Sequence, residues 1–318
     1  MNSAFCTIIT QDYIHYALAL RKSVLDTGAD IDFYILVSDG NGKKSNDFQE
    51  KYPGAFILSI DEVCNDGIGK AIYNKYHHTD MSAFRWSMKP VLINYLLQKK
   101  GLQKVIYSDA DIYFYSDYNF LLEDLDNYHV LISPHWRSSD PQKELSNFEI
   151  LFTSGIYNGG FIAGNRNAVP AMEWWARACE FICIKDPSRG MFGDQTHLNL
   201  LPVYFDHVGI VKHRGCNVAN WNMVECSRTI TANNAVIIDD KYPVVFIHFT
   251  ESTINGIVSG VDGLLLPYLE KYYESINYYA KEFGFPGITL SLPKREQPLP
   301  GTSTGIVRIK NMLKRSIK

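Results

Sequence analysis

No stretch of the chain reaches the roughly 18 uninterrupted apolar residues that a membrane-spanning helix needs. Met1-Asn2-Ser3-Ala4-Phe5 lacks the basic region that opens a secretory signal. The expectation is a cytoplasmic protein with neither a signal peptide nor a spanning helix. Cys6, Cys64, Cys179, Cys183, Cys216 and Cys226 show no C-x-x-C spacing, so thiol-redox and zinc-ribbon chemistry have no motif here. Reduced thiols in a cytosolic protein fit best. Positive charge is not in excess: 31 Lys and Arg stand against 34 Asp and Glu, for a net charge of −3. Nothing overall points to nucleic acid. No internal repeat is apparent.

What is present suits a globular protein. At 318 residues with 46% hydrophobic and 20% charged content, the chain holds one large α/β domain or two smaller ones. The 20 Tyr, 17 Phe and 5 Trp suit sugar-stacking surfaces, and a large core accounts for them equally. Apolar runs at 4–10, 32–37 and 55–60 read as strands, with a helical period at 13–25 between the first two. This alternation predicts a doubly wound, mostly parallel sheet. Residues 67–80 read as a mixed loop; its adjacent His77 and His78 point in different directions and make a poor metal site. The stretch 82–99 reads as a helix, with Pro90 tolerable only near a helix start. Its Arg85 and Lys89 lie one turn apart on one face, either reaching a phosphorylated ligand or sitting in solvent.

The most informative stretch is Lys104 to Tyr115. Val105, Ile106 and Tyr107 form an apolar β-type run that stops on Asp109 and Asp111. Two carboxylates at i and i+2 converge if the strand stays extended, or pinch a loop if it ends there. Hard oxygen donors at the C-terminal edge of a buried strand suit Mg²⁺ or Mn²⁺ shared with a phosphorylated ligand. Aromatic neighbours on both sides would make unpaired carboxylates costly there. Further along, 155–165 is a glycine-rich strand, marking either close approach by a ligand or a bulge. Asp194 stands where it would cap a helix, or face a ligand. Residues 133–146 form a long connector, functional or mobile. His248 ends a late strand, as a structural residue or a third metal ligand.

In this order the motifs resemble a glycosyltransferase of the GT-A fold, specifically the family-eight group and related bacterial polysaccharide enzymes. Asp109-Ala110-Asp111 resembles the metal-binding D-x-D after a strand ending in Ser108. Tyr157-Asn158-Gly159-Gly160-Phe161 resembles the strand that meets the donor sugar. Gly193-Asp194-Gln195-Thr196-His197-Leu198-Asn199 resembles the segment whose carboxylate and amide face that sugar. Asn217-Val218-Ala219-Asn220-Trp221-Asn222 with Phe246-Ile247-His248-Phe249 resembles the pair whose histidine completes the metal shell. The resemblance runs from about residue 4 to about residue 250. It implies Asp109, Asp111 and His248 as ligands of Mn²⁺ or Mg²⁺, and Asp194 and Gln195 as the residues at the reacting sugar. For the UDP-sugar donor it implies Thr10, Tyr13, Ser108, Asn158 and Gly159, with Lys89 or Arg85 as the basic residue. One departure is plain. The family's histidine is followed by a Gly and then a Lys-Pro-Trp that touches the phosphates; Phe249-Thr250-Glu251-Ser252 has no lysine. Lys212 and Arg214 are candidates to replace it.

The resemblance implies a metal-dependent hexosyltransferase, retaining, with a glycan or lipid-linked oligosaccharide acceptor. A nucleotide-sugar-binding protein without turnover and a haloacid-type phosphohydrolase are the rivals; the latter puts Thr or Val where this chain has Tyr113. The expected layout is a catalytic domain over 1–262, a C-terminal helix over 263–284 packed on it, a Pro- and Gly-rich linker over 285–304 and a basic tail over 305–318. The tail's apolar residues 306, 309, 313 and 317, with five basic side chains between and beside them, suit the anionic inner face of a membrane.

Overall fold

The computed structural model describes residues 2–28, 30–40 and 46–290. The end of the Pro- and Gly-rich linker and the basic tail lie outside the described residues. The chain opens on strand β1 (Ser3–Ile9), every residue of which is buried. Helix α1 (Ile14–Thr27) returns to strand β2 (Asp32–Val37), and α2 (Asn46–Lys51) leads to β3 (Ala55–Leu58). A short α3 (Ile60–Val63) carries a full capping box, with Ser59 and Glu62 exchanging backbone bonds.

The expected loop at 67–80 is in fact helical over Gly67–Tyr76, our α4. Two glycines lower its local propensity, which hid it. Packing requires one of them: a Cβ on Gly69 would sit 2.9 Å from the Val63 carbonyl oxygen. Helix α5 (Met81–Gln98) starts where Asp80 accepts from the N–H groups of Ser82 and Ala83. It runs straight through Pro90, contrary to the expectation that proline must lie near its start. Burial of Phe84, Met88, Leu92, Ile93 and Leu96 outweighs the roughly 3 kcal/mol that proline costs in a helix interior.

Strand β4 (Lys104–Ser108) follows, then a turn at Asp109-Ala110-Asp111 and the short β5 (Ile112–Phe114). Helix α6 (Asn119–Asp124), β6 (Val130–Pro134), α7 (Leu145–Ser154), β7 (Tyr157–Asn165) and α8 (Val169–Phe181) come next. Only the first two residues of helix α7 fall in the connector read at 133–146; the helix itself carries no ordinary amphipathic signal because it is turned inside out. Its Leu145 and Phe152 are exposed, whereas its Asn147 and Ser154 are buried. A two-stranded ribbon, β8 (Lys185–Asp186) with β9 (Met191–Phe192), leads to a 3-10 turn at Gln195–Leu200 and to α9 (Leu201–Tyr204). The remainder is β10 (Val208–Ile210), a small sheet of β11 (Arg228–Ile230), β12 (Val236–Ile238) and β13 (Tyr242–Pro243), then β14 (Phe246–His248), α10 (Glu251–Val258) and α11 (Leu266–Phe283).

The main sheet has seven strands in the order β10-β6-β7-β4-β1-β2-β3. It is mostly parallel, as expected, but β7 runs antiparallel to both its neighbours, β4 and β6. The reversal lets the glycine-rich start of β7 meet the C-terminal end of β4. Its pairing with β6 jumps from Ile162 opposite Ile132 to Asn158 opposite Ser133, so residues 159–161 bulge away from that neighbour. One apolar layer, including Phe5, Phe114, Phe161 and Phe246, lies under α1 and α11; a second, including Met88, Tyr107 and Trp175, lies under α5 and α8. Helix α11 packs on α1, and its Tyr272 stacks on Phe249 at 4.3 Å. All six cysteines are buried and unpaired. No helix among the described residues is long and apolar enough to cross a membrane.

The second small sheet, β14 with β5, is joined to the main one by Phe246, whose ring stacks on Phe161 at 4.9 Å and leans on Phe114 at 5.1 Å. Phe246→Ala is expected to lower unfolding free energy by about 3–5 kcal/mol, read by urea denaturation.

Candidate functional site

The D-x-D closes a turn rather than continuing a strand. Strand β4 ends at Ser108, and the N–H of Ile112 donates to the Asp109 carbonyl at 3.1 Å. Antiparallel pairing of β14 with β5 sets His248 opposite Ile112, and the N–H of Phe249 donates to the Asp111 carbonyl at 2.8 Å. Backbone pairing thus places the histidine beside the second aspartate although 137 positions of sequence, on the order of half the chain, separate them. One ligand atom from each of Asp109, Asp111 and His248 lies within 4.8 Å of the other two. His248 Nε2 stands 3.1 Å from Asp111 Oδ1.

Gly160 makes room for this trio. A Cβ there would lie 2.6 Å from His248 Cε1 and 3.0 Å from Asp109 Oδ2. Gly159 does the same for Asp194, whose Oδ2 would be 2.9 Å from an added Cβ. Both glycines of the bulge are therefore required by close approach. Asn158, also on the bulge, donates from Nδ2 to Asn217 Oδ1 at 2.8 Å, and the same Nδ2 lies 3.0 Å from His248 Nδ1. Asn217 in turn donates to the Pro134 carbonyl at 2.9 Å, so two asparagines orient the histidine.

Lys89, from the middle of α5, is buried beneath the trio. Its Nζ donates to the Gly159 carbonyl at 2.9 Å and lies 3.3 Å from Asp109 Oδ1 and 3.4 Å from Asp194 Oδ2. Arg85, one turn earlier, does not line the cleft. Burial works against the charged ammonium, but Asp109 and Asp194 outweigh it and hold its pKa above the ordinary lysine value. Burial likewise opposes the charge on Asp111, and His248 outweighs it, leaving that carboxyl below its usual range. For His248, Asp111 and then Asp109 override burial and raise its pKa. Asp194 goes the other way. Burial pushes it up to about 6, against the pull of Lys89.

The cleft above these residues has a volume of about 500 Å³ and is also lined by Trp86, His135, Arg137, Lys185, Trp221 and Glu251. Asp194 occupies the N-cap position of the turn at 195–200, yet its carboxylate caps nothing, and its Oδ2 accepts no hydrogen bond. Gln195 is pinned at both ends: its Oε1 accepts from the Gly159 N–H at 3.1 Å and its Nε2 donates to the Ser154 carbonyl at 2.5 Å. Of the residues named for the donor, Asn158 and Gly159 line the cleft with Lys89. Thr10 follows the C-terminal end of β1, with its hydroxyl bonded to Asp12; Tyr13 is 49% exposed and stacks on Tyr16. Both lie at the sheet edge that carries Asp109, but neither lines this cleft. Ser108 is fully buried at the end of β4. Lys212 and Arg214 are engaged elsewhere, over the Trp136 ring, with Arg214 also 2.8 Å from Asp239. Neither replaces the missing phosphate-facing lysine in this cleft. Arg137, Lys185 and Glu251 escape a reading by motif because each is an isolated charge in irregular sequence or at an element end.

No family model matches the chain. The chain is similar to the uncharacterized protein YfnF of Bacillus subtilis (strain 168), at 27% identity over 262 residues, covering 81% of this chain and 84% of that one. Among solved structures it is similar to mouse xyloside xylosyltransferase 1 in its apo form, at 12% identity and a TM-score of 0.49, over 80% of this chain and 99% of that one. It is also similar to the galactosyltransferase LgtC in complex with donor and acceptor sugar analogs, at 14% identity and a TM-score of 0.49, over 86% and 95%. Likeness at this level leaves the chemistry to the residues of the cleft.

Two outcomes follow. Gly160→Ala is expected to weaken Mn²⁺ binding at least about tenfold, by electron paramagnetic resonance, in a protein with unchanged circular dichroism. Asp194 binds its proton more tightly folded, at about 6, than unfolded, so its contribution makes stability fall as pH rises from about 4 to about 6 and level off above. The full span is on the order of 3 kcal/mol, and Asp194→Asn is expected to remove that slope from urea curves measured across the window.

Proposed function

We propose that the protein is a metal-dependent glycosyltransferase that moves a hexose, galactose or glucose, from a UDP-sugar to a glycan or lipid-linked oligosaccharide in bacterial surface polysaccharide synthesis. The observation that carries this reading is the convergence of Asp109, Asp111 and His248 at the C-terminal edge of a mostly parallel sheet. Ligands of open α/β sheets bind at that edge. Two carboxylate oxygens and one imidazole nitrogen fit Mn²⁺, and less closely Mg²⁺, which takes oxygen almost alone. Gly160, whose missing side chain lets His248 and Asp109 close on the bulge together, supports the fit. When bound, such an ion supplies Lewis-acid stabilisation of the departing diphosphate.

The remaining chemistry belongs to the chain. Asp194 offers a buried carboxylate whose Oδ2 has only the Lys89 ammonium at 3.4 Å, leaving it capacity to accept from a donor-sugar hydroxyl. Lys89 holds that carboxylate and Asp109 in fixed relation, so the sugar-facing and metal-facing acids stay in register. Gln195, locked between Gly159 and Ser154, presents an amide dipole that needs no reorganisation during reaction. Tyr13, exposed at the same edge, is suited to stack on the base. Gln195 is too weak a base to deprotonate an acceptor, so the reading is a retaining, front-face transfer. One observation favours inversion instead: Glu251 lines the cleft with an exposed carboxylate suited to a general base.

Wild-type protein with Mn²⁺ is expected to hydrolyse a UDP-hexose slowly, and Asp109→Ala to lower that rate at least about a hundredfold with the fold intact. Wild-type turnover in the variant sinks the metal assignment. The anomeric configuration of the transfer product, read by NMR, separates retention from inversion through Glu251. The basic tail at 305–318, by its sequence, suits peripheral contact with anionic lipid; its deletion is expected to move the protein from membrane to soluble fractions.

A further inference from the structure

Beside the trio, two cations of the cleft, Arg137 and Lys185, form no salt bridge among the described residues, and Arg137 is the more buried of them. Arg137 lines the cleft, is partly buried, and has a buried Nε with no hydrogen-bond partner. Among the described residues none forms a salt bridge with it; Glu251, on the same cleft, does not. Burial pulls its pKa down to about 10, with only the exposed Glu144 opposing. A guanidinium whose Nε is cut off from water and unpaired is held at some cost, and one that also lines a cleft is placed to meet an incoming anion.

The loop that carries it is firmly built. His135 donates its N–H to the Ile156 carbonyl at 2.9 Å. On the other side the Ser138 N–H donates to Asn147 Oδ1 at 2.8 Å, and Asn147 Nδ2 donates to the Trp221 carbonyl at 3.0 Å. His135 adds no charge, because burial and Arg137 hold its pKa down to about 3. Lys185, the second basic residue of the cleft, is exposed at its mouth, 4.6 Å from the Phe192 ring centre.

The loop that carries Arg137 is anchored on the side of the cleft where Ser154 and Gln195 stand. The Trp221 ring makes T-shaped contacts with His248 and with His135, ring centres 5.5 Å apart in each, so it touches both the trio and the base of the Arg137 loop. His135, two residues before Arg137, is bonded to Ile156, two residues past Ser154, whose carbonyl holds the Gln195 amide; Arg137, Ser154 and Gln195 all line the cleft. That is the sugar end of the cleft.

We propose that this end is a subsite for an anionic group, a carboxylate or a phosphate ester, on one of the two sugar substrates, with Arg137 as its counter-ion and Lys185 at the mouth. The inference rests on the nucleotide-sugar reading above. A guanidinium matches either anion through paired N–H donors.

The test uses the full-length protein loaded with UDP and Mn²⁺, with glucuronate, glucose 1-phosphate and glucose as probes in ligand-observed NMR. The wild type is expected to bind one or both anionic sugars at least about tenfold more tightly than glucose, the range of a charge-assisted hydrogen bond. Arg137→Gln is expected to level the difference and Arg137→Lys to keep part of it. Equal binding of all three probes by the wild type overturns the subsite, as does a preference that survives in Arg137→Gln. Mn²⁺-dependent hydrolysis of UDP-glucuronate against UDP-glucose identifies the source. An Arg137-dependent preference for the former assigns the anion to the donor; equal rates alongside an Arg137-dependent preference among the free sugars assign it to the acceptor. UDP with Mn²⁺ is titrated first. Failure of the wild type to bind it overturns the nucleotide-sugar reading and this inference together, whereas binding without anionic preference overturns the subsite alone.

Discussion

The cleft depends on one buried ammonium. Lys89 reaches from the interior of α5 to Asp109, Asp194 and the Gly159 carbonyl, three groups on separate segments. An unpaired acid at Asp109 or Asp194 would be expensive in that setting, and a lone lysine equally so. Together they satisfy one another. Because the lysine stands on a helix whose Phe84, Met88 and Leu92 are buried against the sheet, its position follows from the core. The course of α5 through Pro90 matters for the same reason: a helix that stopped there would leave the ammonium on a frayed end.

Much of this arrangement was legible from residue order. An apolar run ending on two carboxylates marked the C-terminal edge of β4, and glycines inside a strand marked a close approach. Gly159 and Gly160 turn out to clear space for Asp194 and for the trio. The choice between Arg85 and Lys89 was not legible, because both fall on one face of the same helix and only the depth of that face separates them. The direction of β7 was hidden as well, since an antiparallel strand between parallel ones has the same apolar pattern. Helix α4 was masked by glycines that packing demands, and α7 by a reversed distribution of polar and apolar residues. In each case tertiary contact overrode local preference.

The two ends of the cleft differ in kind. At one end carboxylates and an imidazole gather where an ion fits. At the other the side-chain cations are Arg137 and Lys185, and Trp221 makes T-shaped contacts with both His248 and His135. This polarity comes from topology. Strands β4 and β5 with β14 supply the acidic end, whereas the loop after β6 and the β8–β9 ribbon supply the basic end. A substrate with charge at two separated points would have its orientation chosen by the field before any specific contact formed.

The six thiols carry a consequence of another sort. Each is buried and none is bonded to another, so no covalent brace holds the layers together. Burial also pushes the thiols of Cys6 and Cys216 well up, away from the reactive thiolate. A maleimide in solution therefore meets sulfur only when a layer parts. Labelling at Cys6, in a central strand, counts the rarest openings; labelling at Cys226, beside the small β11–β13 sheet, counts excursions at the periphery. The protein thus carries its own set of internal clocks for local unfolding, one for each region of the core.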